Sequence, residues 1–248
     1  MNLTIKVSEG GWDAVPANVT AVVLSVAKCF ERAVLERDVE AILVEPTTSP
    51  SDYPITVIDR TENGEVRILL PVRGPLWARL AFQFAHEFCH VLSNFDLNPH
   101  FSWGWLYESL CETSSLFALR TMAASWQLSA PYPNWTPYAI GFTDYFEERC
   151  NEHGHQLPAG VTFRQWFEAN LPLLRDDCVR RADNTVVALR LLPVFEEDAD
   201  AWRAVRYLNL WDSSNDVSVE HFCTHWRDTI PPTLRSAVNR IEHRLTSE

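Results

Sequence analysis

Trp77-Ala78-Arg79-Leu80-Ala81-Phe82-Gln83-Phe84-Ala85-His86-Glu87-Phe88-Cys89-His90-Val91-Leu92 is the stretch from which the rest of the chain is read. At about 100° per residue, Trp77, Leu80, Ala81, Phe84, Phe88 and Val91 gather on one side of a helix, and Arg79, Gln83, His86 and His90 gather opposite. This pattern predicts a helix with one core face and one polar face carrying two histidines, and Pro75 suits its first turn. The i, i+4 spacing of His86 and His90 places two imidazoles on one face at a separation that suits a single Zn²⁺. Glu87 falls beside them, within reach of metal-bound water without being a ligand. A catalytic zinc takes three protein donors and keeps one position open, so a third donor must come from elsewhere. Glu108 is the candidate: Trp105 to about Ala124 reads as the next helix, and residues 91–107 leave a connection long enough for that helix to return alongside the first.

Upstream of this stretch the pattern changes to short alternating runs. Leu3 to Val7 reads as a strand, broken by Gly10-Gly11, and Asn18 to Leu35 as a helix with Asn18 as its N-cap. Ala41 to Val44 reads as a second strand and Pro46 to Pro54 as a loop. Ile55 to Asp59 and Val66 to Leu70 flank Asn63-Gly64, a hairpin signal. Downstream, Pro131 to Pro137 breaks regularity, and helices are expected at about 138–152, 162–182, 183–195, 199–210 and 217–228. The chain is thus expected to be α+β: a small mixed sheet with an active-site helix in an N-terminal lobe, 1–128, and a mainly helical C-terminal lobe, 129–248.

Composition narrows the function classes. A net charge of -12 over 248 residues repels nucleic acid and anionic membrane alike, and no run of Lys and Arg overrides it. The nearest basic pairs, Arg180-Arg181 and Arg203 with Arg206, sit among acids and read as a solvated mixed-charge face. Neither a signal-peptide pattern nor an apolar run of about 18 residues is present, which points to the cytoplasm. Six cysteines without CxxC spacing suit small buried hydrophobes in a reducing compartment better than a disulfide framework.

His86-Glu87-Phe88-Cys89-His90 followed by Trp105-Leu106-Tyr107-Glu108-Ser109-Leu110-Cys111-Glu112 resembles the HExxH and WLNEGFAE segments of the gluzincin aminopeptidases, over about residues 55–120. The small size is closer to the compact minigluzincins. The spacer differs from the usual length by one residue, Tyr107 replaces an asparagine, and Pro71-Val72-Arg73-Gly74 stands where a GxMEN-like segment would be. The resemblance implies a zincin-like N-terminal lobe, Zn²⁺ bound by His86, His90 and Glu108, and Glu87 as general base in the hydrolysis of peptide or amide bonds. It also implies that Val66 to Leu70 is an edge strand that takes up extended peptide. Glu112, one turn beyond Glu108, resembles the acid that orients a zinc-bound histidine, and it is also the rival third ligand. A Tyr or His that stabilises the oxyanion is expected further along, with Tyr138, Tyr145, His153, His155 and His221 as candidates and Tyr145 the preferred one.

The remaining donor-bearing residues have simpler readings. His100 lies in a loop and is less well placed than Glu108. Cys223-Thr224-His225 and His153-Gly154-His155 lack a companion cluster and read as structural or surface residues. Trp103, Trp105, Trp126 and Trp135 bracket the site and serve either substrate pockets or the core. Cys89 and Cys111 fall on buried faces. The expected partner is a peptide or protein substrate, with neither nucleic acid nor membrane. The alternative is a catalytically silent metal-binding regulatory or interaction protein on the same scaffold.

Overall fold

A computed structural model describes residues 3–34, 41–47, 53–97, 100–198 and 200–247. The chain is α+β, with one four-stranded mixed sheet and a preponderance of helix. It divides into two compact units, each made of two stretches: Met1–Val91 with Ser114–Glu147, and Leu92–Thr113 with Glu148–Glu248. The lobes expected at 1–128 and 129–248 are contiguous, whereas these units interleave along the chain.

The first unit opens with a strand-helix-strand element: β1 (Ile5–Val7), α1 (Pro16–Cys29), a short α2 (Glu31–Val34) and β2 (Ile42–Pro46), with β1 and β2 paired in parallel. α1 begins two residues earlier than expected. Pro16 occupies the first turn, where its fixed φ and missing N–H cost nothing, and Asn18 lies inside the helix instead of capping it. Residue 35, the expected end of that helix, and residues 48–52 of the expected loop lie outside the described residues.

The hairpin forms as β3 (Ile55–Val57) against β4 (Val66–Leu70), in the register Ile55↔Leu69, Thr56↔Ile68 and Val57↔Arg67. Gly64 closes its turn at φ 80, a left-handed conformation that costs glycine little, and its N–H donates to Thr61 O at 2.8 Å. The sheet order is β1-β2-β4-β3. This corrects one expectation, because Val66 to Leu70 is an interior strand, held by β2 in parallel and by β3 antiparallel. The edge on that side is β3. Ile42 is buried opposite Val66 and Val44 opposite Ile68, with Leu70 buried beyond them, so one face of the sheet meets the core.

α3 (Trp77–Leu92) and α4 (Gly104–Ser129) follow. Pro75 falls just before α3, whose first turn is closed by the Leu80 N–H on Leu76 O. In the first unit Phe88 stands edge-on to Phe30 at 5.9 Å and stacks on Phe84 at 5.5 Å. Trp135, in the 3₁₀ turn Pro133–Tyr138, lies between Trp77 (5.4 Å) and Trp126 (5.6 Å). α5 (Ala139–Asn151) runs from the first unit into the second.

The second unit is helical: α6 (Phe163–Asp176), α7 (Arg181–Glu197), α8 (Asp200–Val205), α9 (Val219–Thr229) and α10 (Arg235–Thr246), together with the start of α4. A capping box, Thr162 with Gln165, starts α6. Trp103 is fully buried against Phe222 at 4.2 Å, and Trp105 lies 5.3 Å from Phe167. Both indoles are therefore core. Gly104 is fixed by close approach, because a Cβ there would lie 2.7 Å from that of Cys178. Among the described residues, no helix is long and apolar enough to cross a membrane. None of the six cysteines is joined in a disulfide among the described residues.

Candidate metal centre

α3 sets His86 and His90 one turn apart with ring centroids 5.2 Å from each other and planes at 69°. From Leu80 to Val91 every residue is buried except these two. Of the polar face, Gln83 is buried at 7% exposure, and Glu87 between the two histidines is buried at 3%. A carboxylate so enclosed needs a hydrogen-bonding partner. Thr56 on the edge strand supplies one, its Oγ1 lying 2.7 Å from Glu87 Oε2 and 3.1 Å from the Glu87 carbonyl oxygen. β3 is thereby tied to the middle of the His86–His90 turn.

The second half of α4 packs on the same helix within the first unit. Ser114 Oγ donates to Ala85 O at 2.7 Å and Ser115 Oγ to Phe82 O at 2.8 Å, both from buried positions. These bonds fix the register of α4 against the turn of α3 that ends at His86. Tyr145 on α5 meets the edge of Phe82 at 5.7 Å, one turn before His86, and is half-buried.

Glu108, Cys111 and Glu112 belong to the beginning of α4, in the second unit. Between Trp105 and Leu116 every residue is buried except Glu108. Burial pushes the Cys178 thiol up, and the neighbouring Glu108 carboxylate adds to that shift. Glu112 is buried, and its Oε1 accepts from Thr185 Oγ1 at 3.0 Å and faces Arg149 Nη2 at 3.8 Å. Cys111 and Cys89 are buried thiols, as their helix positions suggested.

The other candidates for an oxyanion donor fall in different settings. Tyr138 Oη accepts the Ala78 N–H at 3.2 Å, closing the first turn of α3, and burial pushes its phenol up. His155 is buried in the second unit with Nδ1 2.6 Å from Arg149 O, and His153 is exposed. His221 stands beside His225 and Asp216, also in the second unit. The sequence reading missed Asp216. Its signal would have been an acid just ahead of a helix that carries His at i and i+4.

No known family model matches the chain, and no curated protein or solved structure is significantly similar to it.

Proposed function

We propose that the chain is a zinc-dependent hydrolase of peptide or amide bonds, in which His86, His90 and Glu108 hold the metal and Glu87 is the general base. The observation that carries this reading is the pattern of exposure. In two otherwise sealed helical stretches, the residues that keep solvent access are His86, His90 and Glu108. Glu112, the rival third donor, is buried and engaged by Thr185. Glu108 is preferred because its half-buried position keeps solvent access and leaves room for substrate, which a catalytic centre needs.

Bound zinc would supply Lewis acidity toward the substrate carbonyl and toward water. The residues of the chain do the rest. Thr56 holds Oε2 of Glu87, so the second carboxylate oxygen takes the proton of the attacking water and returns it to the leaving amine. Glu112, held from one side by Thr185, orients a metal-binding imidazole, and Tyr145 faces the developing oxyanion. The edge strand β3 takes up extended peptide by strand addition, with Thr56 linking substrate edge and base. The zincin-like arrangement of sheet and active-site helix is part of the same proposal.

The test is cleavage of a broad peptide library by the zinc-loaded chain. Wild type is expected to hydrolyse a subset of sequences, and Glu87→Gln to lose at least about 100-fold in rate with zinc retained. Equal rates for the two would remove Glu87 from its role. Stoichiometric zinc with no cleavage of any peptide would leave the catalytically silent metal-binding protein.

A further inference from the structure

A second imidazole pair lies within the second unit and owes nothing to the first. His221 and His225 stand at i and i+4 on α9, with ring centroids 4.7 Å apart and planes at 44°. Ser218 Oγ caps this helix by accepting the His221 N–H at 3.2 Å. Asp216 sits just ahead of the cap, and its side chain is fully buried. Its Oδ2 accepts from Trp211 Nε1 at 3.1 Å, which fixes the plane of the carboxylate. Its Oδ1 lies 2.6 Å from His225 Nδ1 and 3.8 Å from His221 Nδ1.

A buried carboxylate needs one charged or hydrogen-bonding partner, and His225 alone would meet that need. Here two imidazoles converge on one oxygen. Protonating both at this separation would set like charges against each other, whereas one divalent cation would satisfy the carboxylate and both rings. One donor atom from each of the three residues lies within 4.8 Å of the others. Around a zinc ion neighbouring donors stand about 3 Å apart, so small side-chain rotations complete the approach. The histidine side chains are 45% and 41% exposed, which opens a route from solvent.

We propose that Asp216, His221 and His225 form a second metal site, open to solvent, for a borderline divalent cation of the zinc, nickel or copper class. Two imidazole nitrogens and one carboxylate oxygen favour these ions over Mg²⁺ or Ca²⁺, which prefer all-oxygen shells. The bound ion ties the segment from Trp211 to Asp216 to the first turns of α9. The residue directly after His221 is Phe222, buried in the core, so the site has no general base of the Glu87 kind.

The experiment is calorimetric titration of the metal-stripped full chain with Zn²⁺, comparing wild type with His221→Ala/His225→Ala. Wild type is expected to take up about one more equivalent than the double variant. Equal uptake overturns the proposal, whatever the first site does. A second readout needs no variant to fold: in wild type, Zn²⁺ but not Mg²⁺ is expected to shift the ring resonances of His221 and His225. Resonances unmoved by Zn²⁺, or moved equally by Mg²⁺, contradict the site or its cation class.

Discussion

The two histidine pairs, His86/His90 on α3 and His221/His225 on α9, share one spacing and differ in almost everything around them. On α3 the pair is the half-buried part of a stretch that is otherwise buried, and the acid lies between the two rings in sequence, held by Thr56 from the edge strand. On α9 the pair lies on an open flank, and its acid comes from the segment before the helix, buried and fixed by Trp211. Spacing alone therefore specifies two imidazoles on one face. What those imidazoles can do depends on where the nearest carboxylate stands and how firmly it is held. On α3 the carboxylate stands beside the imidazoles, as the proposed base; on α9 it stands among them, as the proposed ligand.

This contrast can be broken most decisively at Glu87. Glu87→Gln is expected to lower hydrolysis by about 10² to 10⁴-fold while bound zinc is unchanged, measured by rate and metal content on the same sample. The next largest effect is expected at Thr56. Thr56→Val keeps the shape of the side chain but removes the donor to Glu87, and about tenfold in rate should be lost with little change in zinc affinity. An unchanged rate would mean that the edge strand does not position the base. On the other side of the comparison, Ser218→Ala removes the cap of α9 and should lower unfolding free energy by about 1 kcal/mol in chemical denaturation, leaving hydrolysis untouched. The smallest effect sharpens the contrast: His221→Ala/His225→Ala is expected to alter the hydrolytic rate by less than about twofold, since that pair has no general base.

The thiols give a separate check on burial. Desolvation pushes Cys29 up to about 12 and raises Cys223 further still, so both are almost wholly protonated at neutral pH. Because the thiolate is the nucleophile, both are expected to resist alkylation in the folded chain and to react fully once it is unfolded. As pH rises above the ordinary thiol value of 9.0, the unfolded chain deprotonates first, so stability should begin to fall in the window between 9.0 and about 12.

Much of the fold was legible because local rules agree with tertiary structure. The period of 3.6 in Trp77–Leu92 is a helix, and Asn63-Gly64 is a turn between paired strands. Where two local signals competed, the wrong one was chosen at α1: Asn18 is a good cap, but Pro16 already starts the helix. Sheet order was not legible, because hairpin strands look alike whether inner or outer. The parallel pairing of β2 with β4 decides it, and that contact is remote in sequence. α10 was missed altogether. Only Ala237, Val238, Ile241 and Leu245 of its residues are buried, and charged neighbours hide so narrow an apolar stripe.

The candidate site shows the same division. The residues of the first pair were visible as a motif, yet Thr56 was not, because a threonine in a short strand carries no sign of what lies across from it. Asp216 was passed over for a related reason: His221 and His225 were weighed one at a time, in different roles, and the acid that joins them lies outside the helix. The Gln83 side of α3 was read as a polar face, and the pattern gave no sign that Gln83 itself is buried while Arg79, His86 and His90 keep solvent access.

The most direct test of the central assignment is zinc content by elemental analysis after dialysis, in a His221→Ala/His225→Ala background that removes the second site. The account predicts about one zinc per chain, lost or severely weakened by His86→Ala and by Glu108→Ala in folded protein. Zinc absent from that background even after resupply, or retained in full by both variants, would contradict it.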